Sequence, residues 1–425
     1  MRVHVDSEIG RLRRVLVHRP GLEIDRMPPS MMEQLLFDDI LYGDEAREEH
    51  DLFTQVMRQG GVEVLDGETL LAQVLREAVP RARLLDELQR EYGVGASLVS
   101  RLAELPADRL AALLIEGVLA GPDAVEAGGR RFFDLAPLPN YFFQRDSQVV
   151  LGDRVICPSM ATEAREREPL LSRTLFNYHP ALQGYADLFE IDVPPVAAPH
   201  HDPQYPYASL EGGDVLVVSP EIVLVGLSER SNRRGVEVLA EYLRREETPF
   251  RHLILVEMPP KRSYMHLDTV FTLIDRHTCL AHLPVIQPGG REAAHVYYVD
   301  LLARELTFAV RTSLLTALAD LGLALDVVPC GGAAEAIDQQ REQWTDGANA
   351  FALAPGVILL YRRNRKTIEE LGRRGFRILT EEEVVAGGHD LVGGGPTVVT
   401  LAANELSRAR GGPRCMTMPI ERDPL

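Results

Sequence analysis

Cys415 stands in RGGPRCMTMP (410–419), behind two glycines and beside Arg414. Glycines let a backbone approach a ligand closely, and a neighbouring guanidinium favours the thiolate, the nucleophilic form of cysteine. The other three cysteines, 157, 279 and 330, lie in the apolar contexts VICP, HTCLAH and DVVPC, where a small buried hydrophobe is the better reading. A base for Cys415 is offered by YMHLDTVFT (264–272). Period-two alternation there puts His266 and Asp268 on one face of a strand, so that an imidazole and a carboxylate meet the same substrate. An imidazole can protonate an amine leaving group and then deprotonate water. A histidine by itself is more often structural, and it is the pairing with Asp268 that points to chemistry.

The elements that must position these residues recur along the chain. A polar or acidic residue opens a short apolar strand, a tight turn follows, and a second apolar strand runs toward a helix. The instances are RDSQVVLGDRVICPSM (145–160), EGGDVLVVSPEIVLVGLSER (211–230), HLDTVFTLIDRHTCLAHL (266–283) and GANAFALAPGVILLYRRN (347–364), and RVLVHRP (14–20) opens a fifth unit. None buries its apolar face alone, so the economical arrangement is an α/β fold with the five units around a common axis. Asp146, Asp214, Asp268 and Asn349 then occupy one place, just before the first strand, and equivalent positions in a ring converge. Carboxylates held close raise one another's pKa unless a cation fills the space. A planar guanidinium with several N–H donors would pair bidentately with two of them. Singly, an aspartate before a strand is usually a turn residue; the fourfold registration sets these apart.

Residues 67–130 depart from this pattern. LLAQVLREAV, RLLDELQREY and ADRLAALLIEGVLAG carry helical spacing, so an inserted all-helical domain is expected. The organisation read from the chain is therefore a first module in 1–66, the helical insertion in 67–130, and four modules with the catalytic C-terminal loop in 131–425. EEEVVAGGHDLVGGGPT (381–397) is expected as a surface loop, with a lid as the alternative.

Bulk properties narrow the classes of function. The chain has 425 residues and is 45% hydrophobic, enough for a large core, and no window approaches the roughly 18 consecutive apolar residues of a membrane span. The start, MRVHVDSEIG, lacks a secretory pattern and the four cysteines are scattered, so a soluble cytoplasmic protein with no membrane partner is expected. Lysine and arginine total 45 against 63 acidic residues, a net charge of −18, which argues against nucleic acid as a partner. No zinc-type CxxC pair, HExxH or P-loop occurs, so neither a metal nor a nucleotide cofactor is expected.

PNYFFQRD (139–146), EGGD (211–214), MHLDTVFT (265–272), REQWTDGANAFALAPGV (341–357) and RGGPRCMTMP closely resemble the arginine deiminases of the guanidino-group-modifying superfamily, and LLFDDIL (35–41) and the final RDPL fit as well. The likeness runs through nearly the whole chain, most weakly in the helical insertion and around 376–397. It implies a pseudo-fivefold α/β-propeller of ββαβ-type modules with an inserted helical domain. Carried over by motif, it implies Cys415 as nucleophile, His266 as general acid and base, Glu211 as the group that orients and charges His266, and Asp146 and Asp268 as grips on the guanidinium nitrogens. Arg165 and Arg230, assisted by Asn140, resemble the family's carboxylate-binding residues. Phe143 and Leu36 resemble its apolar contacts, and the backbone around Arg410 would take the α-amino group. Asp214 joins the substrate-binding set through its place in the repeat.

The reaction implied is attack of the thiolate on the guanidinium carbon of L-arginine, loss of ammonia, and hydrolysis of the amidino-thioether to citrulline without a cofactor. A homodimer or homotetramer is implied by analogy. The rivals are a citrulline ureidohydrolase or an amidinotransferase of the same superfamily, and a non-catalytic arginine-binding protein. A neutral ureido group would leave the gripping carboxylates without a full cation. A binding protein would lack a catalytic group, and here all are present. Two departures stand out: Arg414 where several members carry histidine, and Ile368 where an asparagine is expected after Thr367.

Overall fold

The repeated motifs fold as antiparallel hairpins. In the computed structural model, which describes residues 3–126, 129–182, 187–190, 208–245 and 248–425, Val149–Leu151 pairs with Arg154–Cys157 and Val215–Ser219 with Ile222–Leu227. Phe271–Asp275 pairs with Thr278–Ala281, and Phe351–Ala354 with Val357–Tyr361. Nearly every residue of these strands is buried, which is why they read as continuous aliphatic runs and not as alternating ones. Gly356, in the turn between the last two, has φ 76°, a left-handed conformation that glycine adopts without strain.

In each unit the second strand then pairs in parallel with a third: Asp187–Glu190, His252–Glu257, Asp326–Pro329 and Thr397–Leu401. A parallel neighbour requires a crossover. The helices Glu168–Tyr178, Arg233–Arg245, Leu314–Asp320 and Arg365–Arg373 lie in those crossovers. The fifth sheet is closed from both ends of the chain. Leu12–Val17 pairs in parallel with Glu63–Asp66, beyond the helix Gly43–Gln59, and antiparallel with Met418–Arg422. Cys415 therefore precedes its strand as Asp146, Asp214, Asp268 and Asn349 precede theirs.

Three expectations need correction. Within 67–130 the helices Gly67–Val74, Ala78–Arg90, Ala96–Ala103 and Ala107–Glu116 share a core with the hairpin 149–157. After Gly117, however, Val118–Leu119 pairs with Phe133–Leu135, and Val125–Glu126 with Gly129–Arg130, so the stretch is not helical throughout. Strands of two residues are too short to show a period. Segment 381–397 is not a loop at its start: Thr380 caps the helix Glu381–Ala386 through a capping box with Glu383, and that helix packs on Gly43–Gln59. His266 and Asp268 do not lie on a strand either. His266 occupies the position before the 3-10 turn Leu267–Thr269, and the strand begins at Phe271. Among the described residues, no helix is long and apolar enough to cross a membrane.

Candidate active site

The loop that carries Cys415 is held by its backbone. Asn349 Oδ1 accepts from the N–H groups of Arg414 (3.0 Å) and Cys415 (3.3 Å), and the Cys415 carbonyl accepts from the Arg145 N–H (3.0 Å). The one amide among the four registered positions thus fixes the loop. Both glycines of RGGPRC are required for close approach, since a Cβ at Gly411 would meet the Phe143 ring and one at Gly412 would meet Asn349.

Cys415 Sγ lies 3.8 Å from Asp268 Oδ2. The same oxygen accepts from Arg414 Nη1 at 2.7 Å. Arg414 also donates to both oxygens of Glu8 (3.0 and 3.1 Å) and to the Val215 carbonyl (2.8 Å). The expectation that Arg414 would favour the thiolate by adjacency is overturned, because its guanidinium is engaged with Asp268 and Glu8. Burial first, and then the charges of Asp268, Asp146 and Asp346, push the Cys415 thiol well above its ordinary range. A cation placed among those carboxylates would reverse the electrostatic part of that shift.

Asp146 repeats the geometry of Asp268. Its Oδ2 accepts from Arg165 Nη1 at 2.6 Å, and Arg165 forks onto Glu168 at 2.9 and 2.8 Å. In both aspartates the second oxygen, Oδ1, is buried and has no hydrogen-bond partner. His266 Nε2 donates to Glu211 Oε2 at 2.8 Å, while Nδ1 lies 3.8 Å from Asp146 Oδ1. Burial works against an imidazolium here, but the charge of Asp146 and the bond to Glu211 outweigh it and raise the His266 pKa to about 9. Glu211 is shifted down: burial opposes its charge, and Arg230 and His266 prevail. Gly213 has no room for a side chain because a Cβ would collide with the His266 ring, which gives EGGD its physical meaning.

Leu36, Asn140, Phe143, Arg165, Arg230 and Arg410 line one cavity together with Asp146, His266 and Cys415. Glu211 lies behind His266, and Asp268 beside the thiol. Asp214 is the exception among the expected substrate contacts. Its oxygens accept from the Leu267 N–H (2.8 Å) and Ser228 Oγ (2.6 Å), and burial raises its pKa to about 6. It steadies the turn that carries His266 and Asp268 and does not face the cavity. Met265, Thr269, Ala409 and Arg262 also line the cavity and were not anticipated. The first three adjoin named motif residues, so adjacency is a usable signal. Arg262 bonds the Leu36 carbonyl and Asp38, both at 3.1 Å, across more than two hundred residues of chain.

Asp146, Glu211 and His266 present ligand atoms within 4.8 Å of one another, a set that could hold a metal ion. The cation already among them is Arg165, with Nη1 2.6 Å from Asp146 and 3.8 Å from Glu211.

The arginine deiminase family pattern matches residues 33–422 of the chain. The chain is 34% identical over 437 residues to the arginine deiminase of Bacillus cereus, covering 99% of this chain and 98% of that one. It is 34% identical over 436 residues to the arginine deiminase of Mycoplasma capricolum, covering 100% and 98%. Among solved structures, an amidinotransferase of saxitoxin biosynthesis from Microseira wollei superposes with a TM-score of 0.52 at 14% identity, covering 100% of this chain and 98% of that one. The substrate-bound N-terminal domain of a cyanobacterial arginine dihydrolase gives 0.51 at 13% identity, covering 97% and 99%. At such identities these structures speak for a shared mixed α/β fold alone. With family pattern and full-length identity in agreement, the chain belongs to the arginine deiminase family.

Proposed function

We propose that this protein hydrolyses L-arginine to L-citrulline and ammonia through a covalent amidino intermediate on Cys415. One observation carries the assignment of roles: the Oδ1 atoms of Asp146 and Asp268 are buried and unbonded, while each Oδ2 is held by an internal arginine. A buried polar atom left unpaired costs about 1–3 kcal/mol, and more when charged. A guanidinium brings several N–H donors in one plane and would satisfy both. Its positive charge would also bring down the pKa of the thiol beside Asp268, so the nucleophile is activated by the substrate that it attacks.

The thiolate adds to the guanidinium carbon. The His266 imidazolium, oriented by Glu211, gives its proton to the departing nitrogen, which leaves as ammonia. The neutral imidazole then takes a proton from water as it adds to the amidino carbon, and collapse expels citrulline and restores the thiolate. The product carries a carbonyl oxygen where the substrate had a donor, so the two carboxylates grip it less well. Arg165, Arg230 and Asn140 line the cavity as receivers of the substrate carboxylate, and Leu36 and Phe143 as its apolar walls. Drawing Arg165 Nη1 toward that carboxylate would free the second oxygen of Asp146 for the guanidinium.

On this reading the five sheet units, of three to five strands each, stand around one axis as an α/β-propeller, with residues 67–130 as the insertion between module 1–66 and modules 131–425. A cytoplasmic homodimer or homotetramer follows by family analogy, and light scattering that finds a monomer would remove the assembly. The test of function is incubation with L-arginine, agmatine and citrulline separately. Citrulline and ammonia from L-arginine, lost in Cys415→Ala, are expected. Ornithine from citrulline with L-arginine untouched would sink the assignment.

A further inference from the structure

Arg410 follows the 3-10 turn Leu406–Ala409 in a left-handed conformation, φ 64° and ψ 55°, and lines the cavity. Its side chain is buried, yet Nε and Nη1 have no hydrogen-bond partner. The nearest carboxylate, Asp38, lies 3.7 Å from Nη1. What holds the guanidinium is an aromatic face: Cζ sits 3.3 Å from the ring centroid of Trp344. Trp344 is the only tryptophan of the chain, ends the helix Ala336–Trp344, and is 43% exposed. It does not itself line the cavity.

A cation stacked on an indole keeps its N–H edge available, because the face and not the edge makes the contact. In Arg410 that edge is buried and unsatisfied, a state that an arriving acceptor would relieve. The chain leading from it to the nucleophile is strapped, with the Tyr361 hydroxyl donating to the Gly411 carbonyl at 2.7 Å and Asn349 holding Arg414 and Cys415. The backbone at Arg410 thus has little freedom, and the side chain depends on Trp344 for its place.

Resting on the proposed arginine hydrolysis, we infer that Trp344 is a positioning residue that presents the Arg410 side chain to the carboxylate of the bound amino acid. Arg410 then discriminates amino-acid substrates from decarboxylated analogues, and Trp344 sets affinity through it, not the rate of the chemical step. The experiment compares the parent with Trp344→Ala and Trp344→Phe. Trp344→Ala is expected to raise KM for L-arginine about tenfold and to leave kcat within about threefold, with Trp344→Phe recovering most of the loss, as a cation–π contact requires. The apparent affinity for agmatine, which lacks the carboxylate, should stay within about twofold, since it makes no use of the contact.

In a Cys415→Ala protein, which binds without turnover, the emission of the sole tryptophan should shift on saturation with L-arginine. An unchanged KM for L-arginine in Trp344→Ala, an equal loss of L-arginine and agmatine affinity, or a silent tryptophan would overturn the inference. An active parent with any of these results removes Trp344 from its role alone. A parent inactive on L-arginine removes the function on which the role rests.

Discussion

Two arginine–carboxylate pairs flank Cys415, alike in composition and different in setting. Arg414 donates to Asp268, to both oxygens of Glu8 and to the Val215 carbonyl, and takes no part in lining the cavity. Its partner Glu8 is itself anchored, with its N–H on the Val217 carbonyl (2.7 Å) and its Oε1 accepting from the Val217 N–H (3.1 Å). Arg165 holds Asp146 and Glu168 and does line the cavity. The lesson is a division of labour. Arg414 is bonded to Asp268 and to scaffold and stays out of the cavity; Arg165 is bonded as fully, to Asp146, Glu168 and the Asn140 and Phe143 carbonyls, but does so at the cavity wall, where a substrate can reach it.

The largest effect should come from breaking the locked pair. Arg414→Met removes the guanidinium that bonds buried Glu8 and Asp268 together, and a loss of roughly 3–5 kcal/mol in denaturant titration is expected, with kcat falling as Asp268 loses its orientation. A midpoint equal to the parent's would erase the distinction between the two pairs. Arg165→Met also strands the buried carboxylates of Asp146 and Glu168, and is told apart from Arg414→Met by its effect on binding. Losing charge-assisted hydrogen bonds to the substrate carboxylate predicts a KM for L-arginine raised about 10- to 100-fold, and a smaller change for agmatine. Equal changes for both substrates would move Arg165 out of the carboxylate role.

A smaller effect is expected in the alkaline limb of the rate profile. In the proposed mechanism His266 carries the proton that releases ammonia, so kcat/KM should fall as pH rises through about 9. Glu211→Gln removes one of the three carboxylates, with Asp146 and Asp214, that sustain that proton and should shift the limb to lower pH. A limb that stays in place would free His266 from Glu211.

The smallest effect tests Glu8. Burial opposes its charge, but Arg414 and Arg145 outweigh burial and hold its pKa to about 2, below the ordinary 4.5. The unfolded chain therefore takes up the proton first. The stability contributed by Glu8 is present above about pH 4.5 and is lost as pH falls toward 2. Acid unfolding of Glu8→Gln should be shallower than that of the parent across this window, and identical slopes would show that Glu8 does not carry the linkage.

Much of the architecture was legible because it is periodic. Strands buried on both faces need unbroken aliphatic runs, so each hairpin announces itself, and a position that recurs before each hairpin announces a shared mouth. The mouth residues did not inherit one role from one position. Asp146 and Asp268 each keep one buried oxygen without a partner, Asp214 has both oxygens bonded within the scaffold, and Asn349 holds the loop of Cys415. Which way a carboxylate turns depends on neighbours such as Ser228, Arg414 and Arg165, and no repeat encodes those. Glu8 and Arg262 escaped notice for the same reason, since each acts on a partner hundreds of residues away.

By itself the sequence determined the inventory: a cysteine behind two glycines and an arginine, a histidine two residues from an aspartate, and acidic residues in register at the starts of buried hairpins. Composition and local spacing are sufficient for that, because apolar runs, turns and close-packed glycines act over a few residues. The tertiary structure alone decided that Arg414 serves Asp268 and Glu8 instead of the thiol, and that Asp146 and Asp268 each keep one buried oxygen unbonded. Those are facts of desolvation and hydrogen-bond pairing between distant segments, and they exist only once the segments have closed on one another.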